Sequence, residues 1–213
     1  MTDQKWGSGI APRHRQMLID SGITAEQAHA RGYRSIADGN RSLLAAHGFV
    51  KAVQKSDGLL FRLLGANGEP VGWQFRPDHP RLMNGKENKY EIPYRQKNVI
   101  DFPPGVPERI PDRSKPRVVT EGVKKGDAGA VVGLAIVDLA GVWNWMRDGI
   151  PLPDFRDCGL KDFDWIVCFD SDVATNEDVR KAAAELGGWL KLKGANVRYA
   201  LLPGGDDKIG LDD

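Results

Sequence analysis

Apolar residues along this chain keep two different rhythms, and the change from one to the other falls at a proline-rich stretch. In the first half the runs LLFRLL (59–64) and PVGWQFR (70–76) flank Ala66-Asn67-Gly68. An Asn-Gly step between apolar, strand-like runs is a strong short-range hairpin signal, so residues 58 to 100 read as a small, mostly β unit. Upstream, Pro12 to Asp20 and Thr24 to Arg31 read as short helices. The second opens on Thr24 with Gln27 three residues later, a capping-box pattern. A third helix is expected from Arg41 to His47, stopping at Gly48.

The second half changes grammar. RVVTE, LAIVDL, DWIVCFD and NVRYALL are compact apolar runs separated by segments long enough to hold helices. Such alternation predicts an α/β unit, a parallel sheet covered on both faces. Its clearest helix runs from Thr175 to Lys193, with Thr175 as N-cap, Asp178 in the first turn and Gly194 as the stop. Trp143 and Trp145 are spaced for different faces of a helix, where they would serve packing. Between the two halves, Asp101 to Arg117 (DFPPGVPERIPDRSKPR) reads as a linker. The chain therefore divides into a helical segment (1–57), a β-rich subdomain with its linker (58–116) and an α/β domain (117–213).

Composition narrows the class. The 213 residues are 41% hydrophobic and 28% charged, ordinary for a globular protein, and 30 Lys and Arg against 29 Asp and Glu leave a net charge of +1. Total charge announces no polyanionic partner, so a nucleic-acid site must come from local clustering. The two cysteines, Cys158 and Cys168, write neither a zinc ribbon nor a disulfide framework and fit a reducing cytoplasm. No N-terminal apolar leader is visible and no stretch approaches about 18 consecutive apolar residues, so no membrane partner is expected. His14, His29, His47 and His79 lie in unrelated contexts and receive no chemistry.

Candidate chemistry lies at the ends of the apolar runs. Glu121 follows RVVT, Asp170 and Asp172 follow DWIVCF, and Asp212 and Asp213 lie beyond NVRYALLP. Strand ends of a parallel sheet line its ligand crevice. Carboxylates converging there repel unless protonated or bridged by a cation, and hard oxygen ligands suit magnesium or manganese. A lone DxD more often caps a helix or faces water; the combination of three such sites favours a metal. Lys124 and Lys125 open the helix after Glu121, within reach of phosphates. Arg76, Arg81, Lys86, Lys89 and Arg95 cluster with Trp73, Phe75 and Tyr90, charge for phosphates and flat faces for unpaired bases.

VVTEGVKKGDA, VCFDSD and LLPGGDDKIGLDD resemble the glutamate, DxD and final acidic motifs of the Toprim domain, found in primases, topoisomerases and some nucleases. GLLFRLLGANGEPVGWQFR and ENKYEIP resemble the β-rich subdomain that precedes Toprim in bacterial replicative primases. The TEG-K-K-x-DA and GLDD forms look like those of phage, plasmid and other mobile-element primase-helicases. The resemblance covers residues 58 to 213 and implies a Toprim-type parallel sheet flanked by helices, preceded by a smaller α+β subdomain with a β-hairpin. It further implies a DNA primase acting in replication, a nucleotidyltransferase that makes short RNA primers from nucleoside triphosphates on single-stranded DNA, alongside a helicase domain or protein. Asp170 and Asp172 would be the principal metal ligands and Asp212 or Asp213 supplementary ones. Glu121 would be a ligand or general base. Arg76, Lys89 and Tyr90 match template-binding positions beside the metals, whereas Asp127 aligns with a family ligand only through a small insertion. No zinc-ribbon cysteines precede this core and no P-loop follows it, so the chain reads as a fragment. Three rivals share parts of the pattern: a Toprim nuclease, an aspartyl-phosphate phosphatase with its DxD on the wrong strand, and a non-catalytic module that binds single-stranded nucleic acid.

Overall fold

The computed structural model describes residues 6–83, 85–204 and 208–213. Gly205, Asp206 and Asp207 of the terminal acidic motif lie outside the described residues.

The N-terminal half starts with α1 (Pro12–Asp20), whose proline at the first turn needs no partner for its missing N–H, and α2 (Ala25–Arg31). Thr24 caps α2 by accepting from the Gln27 amide, but the capping box stays open: Gln27 sends its own side chain to Asp127 Oδ1 (3.0 Å). Next come β1 (Arg34–Ile36), α3 (Ser42–Ala46), β2 (Gly58–Leu64) and β3 (Pro70–Pro77), with β1-β2-β3 forming one antiparallel sheet. The Asn67-Gly68 hairpin expected from the sequence joins β2 to β3. Because β1 pairs with β2, the first 57 residues and the hairpin share a single sheet. Period-two alternation splits its core: Leu59, Phe61 and Leu63 pack toward α1 and α2, while Leu60 and Phe75 pack toward Leu44 of α3. A two-residue ribbon, β4 (Leu82–Met83) with β5 (Lys86–Glu87), follows.

The stretch from Asp101 to Arg117 is built into the fold rather than hanging free. Strand β6 (Ile100–Asp101) pairs antiparallel at the edge of the second sheet, and Phe102, Val106 and Ile110 are buried in that domain's core.

The remainder runs β7 (Arg117–Glu121), α4 (Val123–Val131), β8 (Ala135–Leu139), the ribbon β9 (Met146–Arg147) with β10 (Ile150–Pro151), then β11 (Asp164–Val167), α5 (Glu177–Leu192) and β12 (Asn196–Tyr199). The second sheet has the order β12-β11-β7-β8-β6, parallel except for β6. Moving from β7 through α4 to β8 steps one way across the sheet, and moving from β11 through α5 to β12 steps the other. Right-handed crossovers in opposite directions place α4 and α5 on opposite faces and leave a topological switch point between β7 and β11. Two sequence expectations need correcting. The cap of α5 is Asn176, whose side chain accepts from the Asp178 amide, since Thr175 still belongs to the preceding 3-10 turn. Trp143 and Trp145 lie in turns before β9, not on a helix, and Trp145 is buried 6.0 Å from Trp189 of α5.

The two halves are clasped by a polar network in their seam. Arg31, at the end of α2 and fully buried, donates to Asp101 Oδ1 (2.6 Å) and to Asp127 Oδ1 (2.8 Å), and Tyr33 donates to Asp127 Oδ2 (2.8 Å). Asp127, on α4, is therefore a structural anchor. Asp138 of β8 stands opposite Asp101 in register, completely buried, with no donor to either oxygen, and Asp101 Oδ2 also lacks one. Gly126 makes room for it, because a Cβ there would collide with Asp138 Oδ2. Two carboxylates so placed are satisfied if a proton is held between them. Burial first, and then the Asp101 charge, push the Asp138 carboxyl well above its usual range.

A carboxyl whose value is raised by folding stabilises the fold when protonated and loses that contribution as pH rises through the raised value, at about 1.4 kcal/mol per pH unit of elevation. Asp138→Asn, which supplies a permanent donor to Asp101, should melt higher than wild type in alkaline buffer and show a flatter Tm profile between about pH 5 and 9. Parallel profiles for the two proteins would show that no proton is held there.

Candidate active site

The switch point holds the acidic residues. Val119 of β7 faces Val167 of β11 and accepts from the Cys168 amide at 2.9 Å, so Glu121 and Asp170 leave the same edge of neighbouring strands. Asp170 precedes a 3-10 turn, Ser171–Ala174, that carries Asp172. The last residues fold back over this edge: Ser171 donates its amide to the Ile209 carbonyl, and Ile209 donates to Ser171 Oγ, each at 2.8 Å. That clamp brings Lys208 above the pair, with its Nζ 2.9 Å from both Asp170 Oδ2 and Asp172 Oδ2. Gly210 passes so close that a Cβ would strike Lys125 Cε.

Opposite stands the N-terminal sheet. A cleft of about 420 Å³ is lined on one side by Glu121, Lys124, Lys125, Asp170, Lys208, Asp212 and Asp213 and on the other by Gln74, Arg76, Lys89 and Tyr90. Nine of the ten sequence-predicted site residues thus line one cleft; the tenth, Asp172, adjoins it through Lys208.

Three of the acidic groups, Asp170, Asp172 and Asp212, are each met by a lysine. Lys125 Nζ is 2.8 Å from Asp170 Oδ1 and 2.9 Å from Oδ2, and Lys124 Nζ is 3.2 Å from Asp212 Oδ2 while donating to Ser21 Oγ at 2.7 Å. Burial lowers the Lys208 ammonium's hold on its proton, but the bonds to Asp172 and Asp170 outweigh this and take it up to about 12. Lys125 is raised by the same balance, burial opposed by Asp170. Burial also raises Glu121, against the pull of Lys125 and Lys208, and the charges of Asp170 and Asp172 add to the rise. Asp213 accepts from the Gly210 amide (2.6 Å), so its carboxylate serves the terminal turn. Arg76 bonds the Tyr90 hydroxyl at 3.1 Å, and among the described residues neither Arg76 nor Lys89 is paired with a carboxylate.

A divalent cation suits this donor set. Every oxygen ligand offered is a hard carboxylate, and Asp172 Oδ1 is buried with no donor among the described residues. Among the described residues no three ligating side chains are grouped tightly enough to cage an ion as they stand, because ammonium groups hold the carboxylates. Lys208 is the functional candidate that sequence reasoning missed. Its only signal was a lysine inside an otherwise acidic run, GGDDKIGLDD.

Solved structures share this architecture. The Aquifex aeolicus primase (zinc-binding and RNA polymerase domains) superposes with a TM-score of 0.64 at 14% identity, over 95% of this chain and 52% of that one. The DnaG primase catalytic domain bound to single-stranded DNA gives 0.59 at 19% identity, over 98% and 68%. The fold is that of a primase catalytic core. The primase fragment of the bacteriophage T7 primase-helicase protein also matches, with a TM-score of 0.50 at 18% identity over 87% of this chain and 64% of that one. This chain spans about half of the Aquifex primase and about two thirds of the other two. The family described as "Domain of unknown function (DUF3854)" matches residues 109–213, the stretch that holds β7 to β12. A search of curated proteins found no match to the sequence. No helix among the described residues is long and apolar enough to cross a membrane.

Lys208 and a divalent cation need the same oxygens of Asp170 and Asp172. Lys208→Met should therefore tighten manganese binding by about tenfold, roughly the 1.4 kcal/mol of one displaced ion pair, as titrated by the paramagnetic signal of free manganese. Unchanged affinity would show that Lys208 does not compete.

Proposed function

We propose that this chain is the catalytic core of a DNA primase, joining ribonucleoside triphosphates into short primers on single-stranded DNA. What supports the reading is one arrangement. On a primase-core fold, the acidic switch point and an unpaired basic hairpin face each other across a single cleft.

Asp170 and Asp172, with Glu121 beside them and Asp212 as a supplementary group, would hold the divalent cations. Bound there, magnesium or manganese would make a primer 3′-hydroxyl easier to ionise and neutralise the triphosphate and departing pyrophosphate. Glu121, lifted by burial, is suited to accept the hydroxyl proton as attack proceeds. Lys124, Lys125 and Lys208 offer charge to the phosphates once an incoming cation releases them from their carboxylates. On the opposite wall, Arg76 and Lys89 bind the template backbone, and Tyr90, fixed by the Arg76 guanidinium, offers its ring. Positioning and electrostatics carry most of the rate in such a site. The T7 neighbour belongs to a primase-helicase, which supports a helicase domain or protein as the partner.

Two variants separate chemistry from binding. Asp172→Asn should abolish primer synthesis from labelled nucleotides while leaving single-strand affinity within about twofold, since it removes metal charge without touching the basic wall. Arg76→Ala with Lys89→Ala should weaken binding and lower the salt dependence of the affinity by about two phosphate contacts. Metal-dependent cutting of the template without any extension would make the protein a nuclease, and binding with neither activity would make it an inert module.

A further inference from the structure

Gln74 occupies a place in the cleft that neither the cations nor the phosphates explain. Strand β3 alternates, and Trp73 and Phe75 belong to the cluster under α3. Gln74 and Arg76 consequently face the other way, toward the acidic wall, with Phe61 opposite Gln74 in the neighbouring strand. Gln74 is only 5% exposed, yet its amide makes no hydrogen bond with any described residue. Two neighbouring amides are committed. Gln96 bridges the Trp73 backbone with bonds of 2.7 and 2.9 Å, and Asn98 donates to Asn144 at 3.0 Å.

A primary amide carries two donors and an acceptor, and with no partner among the described residues those of Gln74 are left to whatever occupies the clefts it lines. On a strand facing Phe61 an apolar residue would be the more stable choice. The position also has a particular address. Gln74 and Tyr90 line both the acidic cleft and an adjoining cleft of about 440 Å³, whose walls include Tyr94 and Arg95. A ligand with its phosphates among the lysines would extend its other end past Gln74 into this second, aromatic-lined space.

We propose that Gln74 reads the edge of a nucleobase, and that the adjoining cleft is the subsite in which the base lies. This rests on the primase reading and deepens it. The amide's donor and acceptor match adenine, whose N6 amino group and N7 can be met together by a glutamine. The flat Tyr90 and Tyr94 rings give the base a face to stack against. The base could come with a nucleoside triphosphate or with the template strand, since both present the same edge.

Calorimetric titration of the full chain in magnesium, using ligand pairs that differ only in their bases, tests the assignment. One pair is ATP and ribose 5′-triphosphate; the other is a deoxyadenylate hexamer and an abasic hexamer. Wild type should bind the base-bearing member of at least one pair about tenfold more tightly, and the pair that shows this identifies the source. Gln74→Met keeps the volume, loses the amide and should abolish that preference while leaving the base-free ligands unchanged. Gln74→Glu, which keeps an acceptor and loses the donors, should reduce it in the same direction. If either variant folds and retains the wild-type preference, or if wild type has none, Gln74 reads no base although the primase reading stands. Failure of wild type to bind even ribose 5′-triphosphate and the abasic strand would remove the primase reading as well.

Discussion

One buried guanidinium sets the geometry on which the cleft depends. Arg31 leaves the end of α2, enters the seam between the two sheets and bonds Asp101 and Asp127, one from the edge strand and one from α4. A charge taken wholly out of water is tolerable only when paired and hydrogen-bonded, and removing one member of such a pair commonly costs about 3–5 kcal/mol. The network therefore adds little net stability over an apolar seam but admits very few arrangements of its members. Tyr33, Gln27 and the Leu64 amide add further hydrogen bonds to it, and Val123 of α4 joins the apolar cluster under α1 and α2. Both walls of the cleft inherit their separation from this contact.

Within the cleft the ordering force is repulsion. Carboxylates at the ends of β7 and β11 and in the returning terminus would drive one another apart if left alone. Three lysines from two different segments meet them, Lys124 and Lys125 from the first turn of α4 and Lys208 from the returning end. Such counter-ions are not interchangeable with metal: an ammonium donates and a dication accepts electron density, yet both answer the same negative charge. The site can thus hold its shape without cations, and on the proposed reading it would bind them when the lysines have somewhere else to go. Triphosphate oxygens are a natural destination on the proposed reading.

Most of this plan was legible in the residue order. Runs of apolar residues located all four parallel strands, the Asn-Gly step located the hairpin, and acidic residues following β7 and β11 located the switch point, because these signals are local and periodic. What escaped depends on distant contacts. Asp127 looks like one more acid after a strand; only the fold shows Arg31 and Tyr33 converging on it from about a hundred positions away. Prolines made 101–117 resemble a linker, but Phe102, Val106 and Ile110 had an unfilled sheet edge to cover. Thr175 and Asn176 are equally good caps locally, and the 3-10 turn after Asp170 decided between them. Lys208 gave no local signal beyond its place in an acidic run, since its partners are set by two hydrogen bonds between Ser171 and Ile209.

Carboxylates at the switch point of a parallel sheet do not by themselves choose a reaction. The same charges that ease ionisation of a sugar hydroxyl would ease ionisation of water. What differs is the facing wall, because it governs which oxygen can approach. Here that wall carries Gln74, Arg76 and Tyr90 and is held against the second sheet's half by the Arg31 clasp. A wall at this distance favours a ligand that fills the gap from the carboxylates to the hairpin, with phosphates at one end and a base at the other on the proposed reading. Water spans no such gap and gains nothing from it, so the positioning advantage goes to the nucleotide. Selectivity for polymerisation over hydrolysis, on this view, resides in the N-terminal half, and the acidic half supplies only the charge.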